Sequence, residues 1–560
     1  MSITSAIKTI QDIMRKDVGV DGDAQRIGQL VWMLFLKVFD DRETEWEMLD
    51  DDYRSPLPKE YRWRNWAADA EGLTGEALMS FIDTELFPTL QNLGRDGGSV
   101  VVRPVAHVIR GVFEDAYNYM KSGQLLRQVL NKIQESVDFN KAQERHAFGD
   151  MYEQLLRDLQ NAGNAGEFYT PRPVTEFMVR MVDPKLGETV MDPACGTGGF
   201  LTCTIEHKRR QYVKTPEDEK ALQASVFGVE KKPLPHLLAT TNMILHGIEV
   251  PSQIRHDNTL VRPLIGWGPK DRVDCIVANP PFGGMEEDGI ESNFPAAFRT
   301  RETADLFMVL IIHLLKPGGR AAVVLPDGFL FGEGIKSRIK EKLLTECNLH
   351  TVVRLPNGVF NPYTGIKTNL LFFTKGAPTT EVWFYEHPYP AGVKNYSKTR
   401  PMRIEEFAVE EAWWDDRQET PQSWKVDFGT RIAQARATAQ PYWDEAGKLN
   451  SQAAKLEKDL SELKRLHSKD EAGLDGKHAR AEQIESLQAR CAERRAQARA
   501  AQAQGDQLYW PVFNLDGKNP HVGEQENHDP EVLLAEYRRI QAEIAELQGQ
   551  LKAALAEFLP

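Results

Sequence analysis

Apolar residues along this chain change their spacing twice, dividing it into three textures. In the first, Ile27, Leu30, Val31, Leu34 and Val38 recur every three to four positions within residues 24–49, and similar patterns occupy 78–93, 105–120 and 125–133. That period belongs to helices with one buried face, so residues 1–150 read as an all-helical domain. From about Pro184 the pattern becomes short apolar runs separated by helical stretches: ETVMDP, SVFGVE, VDCIVANPP, AAVVLP, TVVRLP and NLLFFTKG. Runs of β-branched and aliphatic residues alternating with helices predict a doubly wound α/β sheet, here placed in residues 151–400. Beyond residue 400 the chain turns to Ala, Gln, Glu, Lys and Arg. Leu449, Ala453, Leu456, Leu460 and Leu463 step by fours and threes, and Ile484, Leu487 and Cys491 supply a returning arm after a turn near Gly473 to Gly476. A helical hairpin is expected there. Leu533, Tyr537, Ile540, Ile544, Leu547, Leu551, Ala554 and Phe558 continue the alternation as a coiled-coil seam, which makes 401–560 a helical and coiled-coil region.

Doubly wound sheets bind ligands beyond the carboxyl ends of their strands. The residues closing each apolar run are therefore where chemistry is expected. The run ending at Met191 is followed by Asp192-Pro-Ala-Cys-Gly-Thr-Gly-Gly-Phe200, whose glycines at 196, 198 and 199 permit a tight turn and close backbone approach to a ligand. A dinucleotide loop competes for this reading, but the third glycine of its G-x-G-x-x-G fingerprint is missing. The next run ends in Glu230, where a carboxylate can accept hydrogen bonds from both ribose hydroxyls of an adenosine. A nucleoside cofactor without pyrophosphate fits this pair better than NAD.

Asn279-Pro-Pro-Phe282 closes the run 273–278. Consecutive prolines fix φ and remove two backbone donors, leaving carbonyls in preset directions. Asn279 adds a side-chain acceptor, and Phe282 a face on which a planar ring can stack. Acceptors converging on one point suit a substrate NH₂ group. Hydrogen bonds from both its N–H groups to Asn279 and the Pro280 carbonyl would localise the lone pair of a purine amine and stabilise positive charge developing on it. A turn ending a strand is the bland alternative.

Composition narrows the setting. The 560 residues are 41% hydrophobic and 27% charged, which are soluble multi-domain proportions. The most apolar stretch, 30–39, is about half a bilayer span and the first residues lack the regions of a signal peptide, so a cytoplasmic protein with no membrane contact is expected. Five scattered cysteines with no C-x-x-C pair argue against a disulfide framework or a metal site. Asp plus Glu total 82 against 68 Lys plus Arg, a net charge of −14. Phosphate neutralisation needs a surplus of cations, so a partner is expected to supply much of any grip on DNA.

With these motifs in order, the chain resembles the amino-group DNA methyltransferases, and within them the modification (HsdM) subunits of type I restriction-modification systems. The resemblance covers most of the chain and implies S-adenosyl-L-methionine as cofactor. It implies that Glu167, Phe168, Tyr169, Thr170, Pro171 and Arg172 pack over that cofactor, and that Asp192, Pro193, Ala194, Gly196, Thr197, Gly198, Gly199 and Phe200 form its loop. Glu230 becomes the ribose acid, and Asp257, with Asn258, lies near the cofactor's adenine or the catalytic pocket. Asn279, Pro280, Pro281 and Phe282 become the catalytic tetrapeptide. Residues 355–373 and 514–520 are similar to further family segments. NPP-aromatic goes mainly with N6 of adenine. Carbon-5 methylation of cytosine needs a thiolate, usually after a proline, and no cysteine here follows one. The target adenine is expected to be flipped out of the duplex.

No basic sequence-reading domain follows the catalytic segment, and no G-x-x-x-x-G-K-[ST] phosphate loop occurs. The implied partners are DNA, a separate specificity (S) subunit docked through the C-terminal helices, a second copy of the chain and a restriction (R) subunit. Two competing readings stay open at this point. One is a self-sufficient adenine methyltransferase, and the other is a non-catalytic scaffold retaining the fold.

Overall fold

A computed structural model describes residues 3–95, 103–136, 152, 169–361, 364–397, 400–468, 474–521, 537–539, 541 and 544. The N-terminal helices pack around Asp23–Leu49, whose apolar residues are buried on nearly every side from Leu30 to Phe39. The periodicity predicted one buried face; the helix is instead the axis of its domain. The helix expected over 105–120 stops at Phe113. Its continuation is held extended because side chains take its amides: Gln29 accepts from the Tyr119 N–H (2.7 Å), and Asp17 accepts from those of Lys121 and Ser122 (2.9 Å each). Leu237 and Leu238 of the Pro233–Leu245 helix join the same apolar core, so it is continuous with the sheet domain.

The sheet has nine strands: β1 Val190–Asp192, β2 Val226–Glu230, β3 Ile254–His256, β4 Val273–Ala278, β5 Leu315–Pro326, β6 Cys347–Arg354, β7 Thr368–Lys375, β8 Glu381–Glu386 and β9 Ser423–Asp427. Their order is β3-β2-β1-β4-β5-β7-β6-β8-β9. β1 to β5 are parallel, β7 inserts antiparallel between β5 and β6, β8 runs parallel to β6, and β9 closes the edge antiparallel to β8. All six expected runs are strands. β3, β8 and β9 were not expected: β3 is three residues long, β8 is an aromatic run bounded by Glu381 and Glu386, and β9 alternates polar with apolar residues at the sheet's margin. β9 lies past residue 400, so the sheet extends beyond the boundary that the change in composition suggested.

The winding places the carboxyl ends of β1, β2, β3 and β4 along one edge, on both sides of the reversal between β1 and β4. That is where a doubly wound sheet opens a crevice.

From β9 the chain passes directly into a hairpin of two long helices, Phe428–Ser468 and Leu474–Tyr509. Asp427 anchors the start by accepting from the Thr430 N–H at 2.8 Å. Of the residues expected in the seam, Ala453 and Cys491 are buried, and Leu449, Leu456, Leu460, Leu463, Ile484 and Leu487 are half-buried. Nearer the sheet the seam consists of small residues, Ala439 and Ala446 opposite Ala498 and Gly505, which lets the two backbones approach closely. A Cβ at Gly505 would lie 2.6 Å from the Trp443 ring. The returning helix ends in the sheet domain's own core, where Tyr509 donates to Glu341 at 2.6 Å. Tyr537 and Ile544 of the expected seam over 533–558 are exposed; its other positions lie outside the described residues. Among the described residues, no helix is long and apolar enough to cross a membrane.

Candidate active site

A cleft of about 290 Å³ opens at the carboxyl ends of β1, β2, β3 and β4. Its floor is the loop from β1 into the Gly199–Gln211 helix. The Asp192 side chain turns back to accept from the Ala194 N–H (3.1 Å), and the Cys195 N–H donates to the Val229 carbonyl (3.0 Å), tying the loop to β2. Gly196 and Gly198 adopt left-handed φ of 54° and 80°, which a side chain would strain. Asp192, Pro193, Ala194, Gly196, Thr197, Gly199 and Phe200 line the cleft. Gly198 does not. A Cβ there would point away from the cleft, 3.2 Å from Met243 Cε and 3.4 Å from Ala239, both on the neighbouring helix. Its requirement for glycine is set by φ and helix packing rather than by the space a ligand takes.

Glu230 ends β2 in the cleft wall. It accepts from the Gly196 N–H (3.0 Å) and the Lys232 N–H (2.6 Å), so one carboxylate both faces the cleft and clamps the glycine loop. Asp192 lies nearby and is almost fully buried. Burial pushes its carboxyl up to about 8, against the Ala194 hydrogen bond that lowers it, and the Glu230 charge adds to the rise. The same burial, with those two carboxylates, raises the Cys195 thiol well above its ordinary value and leaves it an unreactive wall group. Asp192 and Glu230 place two adjacent carboxyl groups in the cleft lining, which suits a cationic ligand that draws Asp192 into its ionised form.

Asp257 and Asn258, after β3, also line the cleft; Asn258 Nδ2 donates to Glu286 (3.2 Å). At its far end stands Asn279. Its Nδ2 donates to the Thr170 hydroxyl (3.0 Å), which fixes the amide's orientation, while its Oδ1 is buried and has no hydrogen-bond partner among the described residues. An unmet buried acceptor costs about 1–3 kcal/mol unless something donates to it. Pro281 lines the cleft, Pro280 is buried behind it, and Phe282 is half-buried edge-on to Phe360 at 6.1 Å. The tetrapeptide is thus braced from behind while Asn279 faces the open space.

The segment expected to cover the cofactor divides. Thr170 lines the cleft, but Tyr169 packs into the N-terminal core and Pro171 precedes the next helix. Arg172 pairs with Glu206 (2.9 Å) and Thr202, buttressing the glycine-loop helix from outside the cleft. Glu167 and Phe168 lie outside the described residues. Sequence reading missed Lys231, Lys232, Thr259, Glu286, Thr303 and Phe307, all cleft-lining. Lys231 and Lys232 could have been found by adjacency to Glu230; nothing in the local sequence singles out Phe307, which lies within an apolar helix.

Comparison with known proteins agrees with this geometry. The profile of the N-6 DNA methylase family matches residues 143–436, and that of the HsdM N-terminal domain matches residues 3–133. Over 559 residues the chain is 56% identical to the type I restriction enzyme EcoEI methylase subunit of Escherichia coli, covering 100% of this chain and 99% of that one. The chain belongs to the N-6 DNA methylase family, among its type I methylase subunits. The methylase is also 32% identical over 387 residues to the EcoKI methylase subunit of Escherichia coli K12, across 64% of this chain and 66% of that relative. Among solved structures it resembles one determined for the assembly and conformational transition of a type I restriction-modification system, with a TM-score of 0.70 and 31% identity over 100% of this chain and 99% of that one. A modification subunit assigned to a type I restriction enzyme of Vibrio vulnificus gives a TM-score of 0.68 at 46% identity, over 77% of this chain and 92% of that one. A methyltransferase fold and an adenine-specific DNA methylase family are therefore established for the chain.

Proposed function

We propose that the cleft takes S-adenosyl-L-methionine and that the chain transfers its methyl group to N6 of a flipped adenine, as the modification subunit of a type I complex whose separate specificity subunit reads the DNA. The unpartnered Oδ1 of Asn279, at the end of a cleft lined by acids, carries this reading. The donor set fits the cofactor: Glu230 suits a ribose diol, Asp257 and Asn258 suit an adenine edge, and Asp192 beside Glu230 suits a cationic group.

When bound, the cofactor supplies an electrophilic methyl on a sulfonium. Everything else falls to the chain. Thr170 holds Asn279 so that Oδ1 points at the incoming amine, and the Pro280 carbonyl offers the second acceptor. Two hydrogen bonds from the amine localise its lone pair and stabilise the positive charge that grows on nitrogen. Phe282, braced by Phe360, keeps the flipped base in the site, and base flipping is what brings a duplex adenine within reach.

Purifying the chain with its specificity subunit, supplying labelled S-adenosylmethionine and mapping modified bases tests the whole reading. The expected product is N6-methyladenine at one sequence, with little methylation by the chain alone. Binding of NAD in calorimetry, with none of S-adenosylmethionine, would overturn it.

A further inference from the structure

Four residues after the catalytic tetrapeptide, Glu286 is buried, with 8% of its surface exposed, and lines the cleft. Its carboxylate ties its own loop to three other segments. Oε2 accepts from Lys231 Nζ (3.3 Å) in the loop after β2 and from Asn258 Nδ2 (3.2 Å) in the loop after β3. Oε1 accepts from the Thr303 hydroxyl (3.4 Å) at the start of the Thr303–Leu314 helix. Its backbone N–H donates to the Arg301 carbonyl (2.9 Å), and the Thr303 N–H donates to the Gly284 carbonyl (3.0 Å), closing the base of the loop. Between Phe282 and this closed base stands Gly283, at a φ of 65° with open space where a Cβ would lie.

Lys231 follows Glu230, and Asn258 follows Asp257. Glu286 therefore holds the immediate neighbours of the two acids proposed to grip the cofactor's nucleoside, while its own loop is the direct continuation of Asn279 to Phe282. We infer that Glu286 is a positioning residue that makes order in the catalytic tetrapeptide depend on occupancy of the cofactor cleft. A ligand that steadies the loops after β2 and β3 steadies both partners of this carboxylate, and through it the loop that begins at Gly283. Asn279 is then ready for a base only when a methyl donor is in place. The inference rests on the cleft's being the S-adenosylmethionine site.

Hydrogen exchange on the full-length chain, with and without S-adenosylmethionine, separates the two ideas. In the unaltered protein the cofactor is expected to slow exchange at 192–200, at 230–232 and across 279–302. In Glu286→Ala the first two protections remain and the third falls to the cofactor-free level. Glu286→Gln, which keeps an oxygen for Asn258 and Lys231, recovers part of it. In the complex with the specificity subunit, turnover of Glu286→Ala at saturating cofactor falls roughly 10-fold or more while KM for the cofactor changes little, the pattern of lost transition-state positioning. Should Glu286→Ala fail to fold, Lys231→Ala, at a side chain 40% exposed, loosens the same latch from its other side and is expected to reduce protection at 279–302 in the same direction. Undiminished protection at 279–302 in the variants overturns the inference. So does a collapse of cofactor affinity with turnover restored at saturation, which would make Glu286 a cofactor contact. Absence of protection at 192–200 in the unaltered protein would instead sink the cofactor reading, and the latch with it.

Discussion

Asn279 shows how far one residue's role follows from its neighbours. Its place before two prolines at a strand end is visible in the sequence; the Thr170 hydroxyl that orients it lies 109 positions away and is not. If the side chain meets the reacting amine rather than the cofactor, as proposed, Asn279→Ala is expected to reduce methyl transfer by about 10²- to 10³-fold, with S-adenosylmethionine affinity nearly unchanged in calorimetry. Turnover close to that of the unaltered protein would remove Asn279 from the mechanism. Asp192 carries a different prediction. Its folded pKa of about 8 lies above its ordinary 3.8, so unfolding favours its ionised form wherever pH exceeds the lower value. Its contribution is intact below about pH 4 and is lost as pH climbs towards about 8. Asp192→Asn removes that loss, so cofactor-free protein carrying it should melt higher than the unaltered chain at pH 7 to 8 and show a shrinking advantage as pH falls to 4. An advantage independent of pH would show that Asp192 is not the titrating group. On the proposed reading the same substitution should weaken binding of the cationic cofactor, which would make Asp192 an acid retained for function at a cost in stability.

Elements reveal what residue types alone do not. The glycine loop was legible as a tight strand-end turn, and it lines the cleft, yet its three glycines are not equivalent, because Gly198 faces the Pro233–Leu245 helix and not the cleft. Gly198→Ala is therefore expected to act through the fold, costing about 1–2 kcal/mol for a non-glycine residue in the left-handed region, with additional strain against Met243. Denaturant unfolding should detect it, and Met243→Ala in the same background should relieve the contact without restoring full stability. Unchanged stability with cofactor binding abolished would show that the side chain fills ligand space after all. The hairpin makes the complementary point. Its leucine ladder was readable from spacing, whereas the small residues that bring its arms together near the sheet matter only once the facing helix is known.

At the scale of the whole molecule, charge and connectivity set expectations for assembly. A net charge of −14 leaves the lone chain little surplus for phosphates, so its DNA binding should be weak, steeply salt-dependent and without sequence preference. The hairpin is fixed at both ends, by Asp427 at the sheet edge and by Tyr509 in the core, which makes it a rigid arm rather than a tethered tail. The apolar repeat over 533–558 would then be the piece that seeks another helix, either in the specificity subunit or along this chain's own hairpin. Deleting everything after Glu531 should leave S-adenosylmethionine binding intact while co-purification with the specificity subunit and site-specific methylation disappear together. A truncated chain that still assembles and methylates its site would refute docking through that repeat, and one that aggregates would favour the intramolecular seam.

The sequence by itself determined the order of helical and strand textures, six of the nine strands and the two strand-end motifs, because these depend on local periodicity, on turn residues and on short runs whose chemistry is fixed by composition. It could not supply β3, β8 and β9, which are short or half-exposed and become strands only when a neighbour's free edge pairs with them. Nor could it separate Thr170 from Arg172 within one short segment, since the first reaches the cleft and the second turns outward according to where the Arg172–Val182 helix begins. Glu230 was legible as a strand-end acid, but its clamp on Gly196 was not. Glu286 was invisible as a junction, because its partners Lys231, Asn258 and Thr303 come from three other segments and meet only when β1 to β4 align their carboxyl ends. Local sequence wrote the list of groups; the winding of the sheet decided which of them share one cleft.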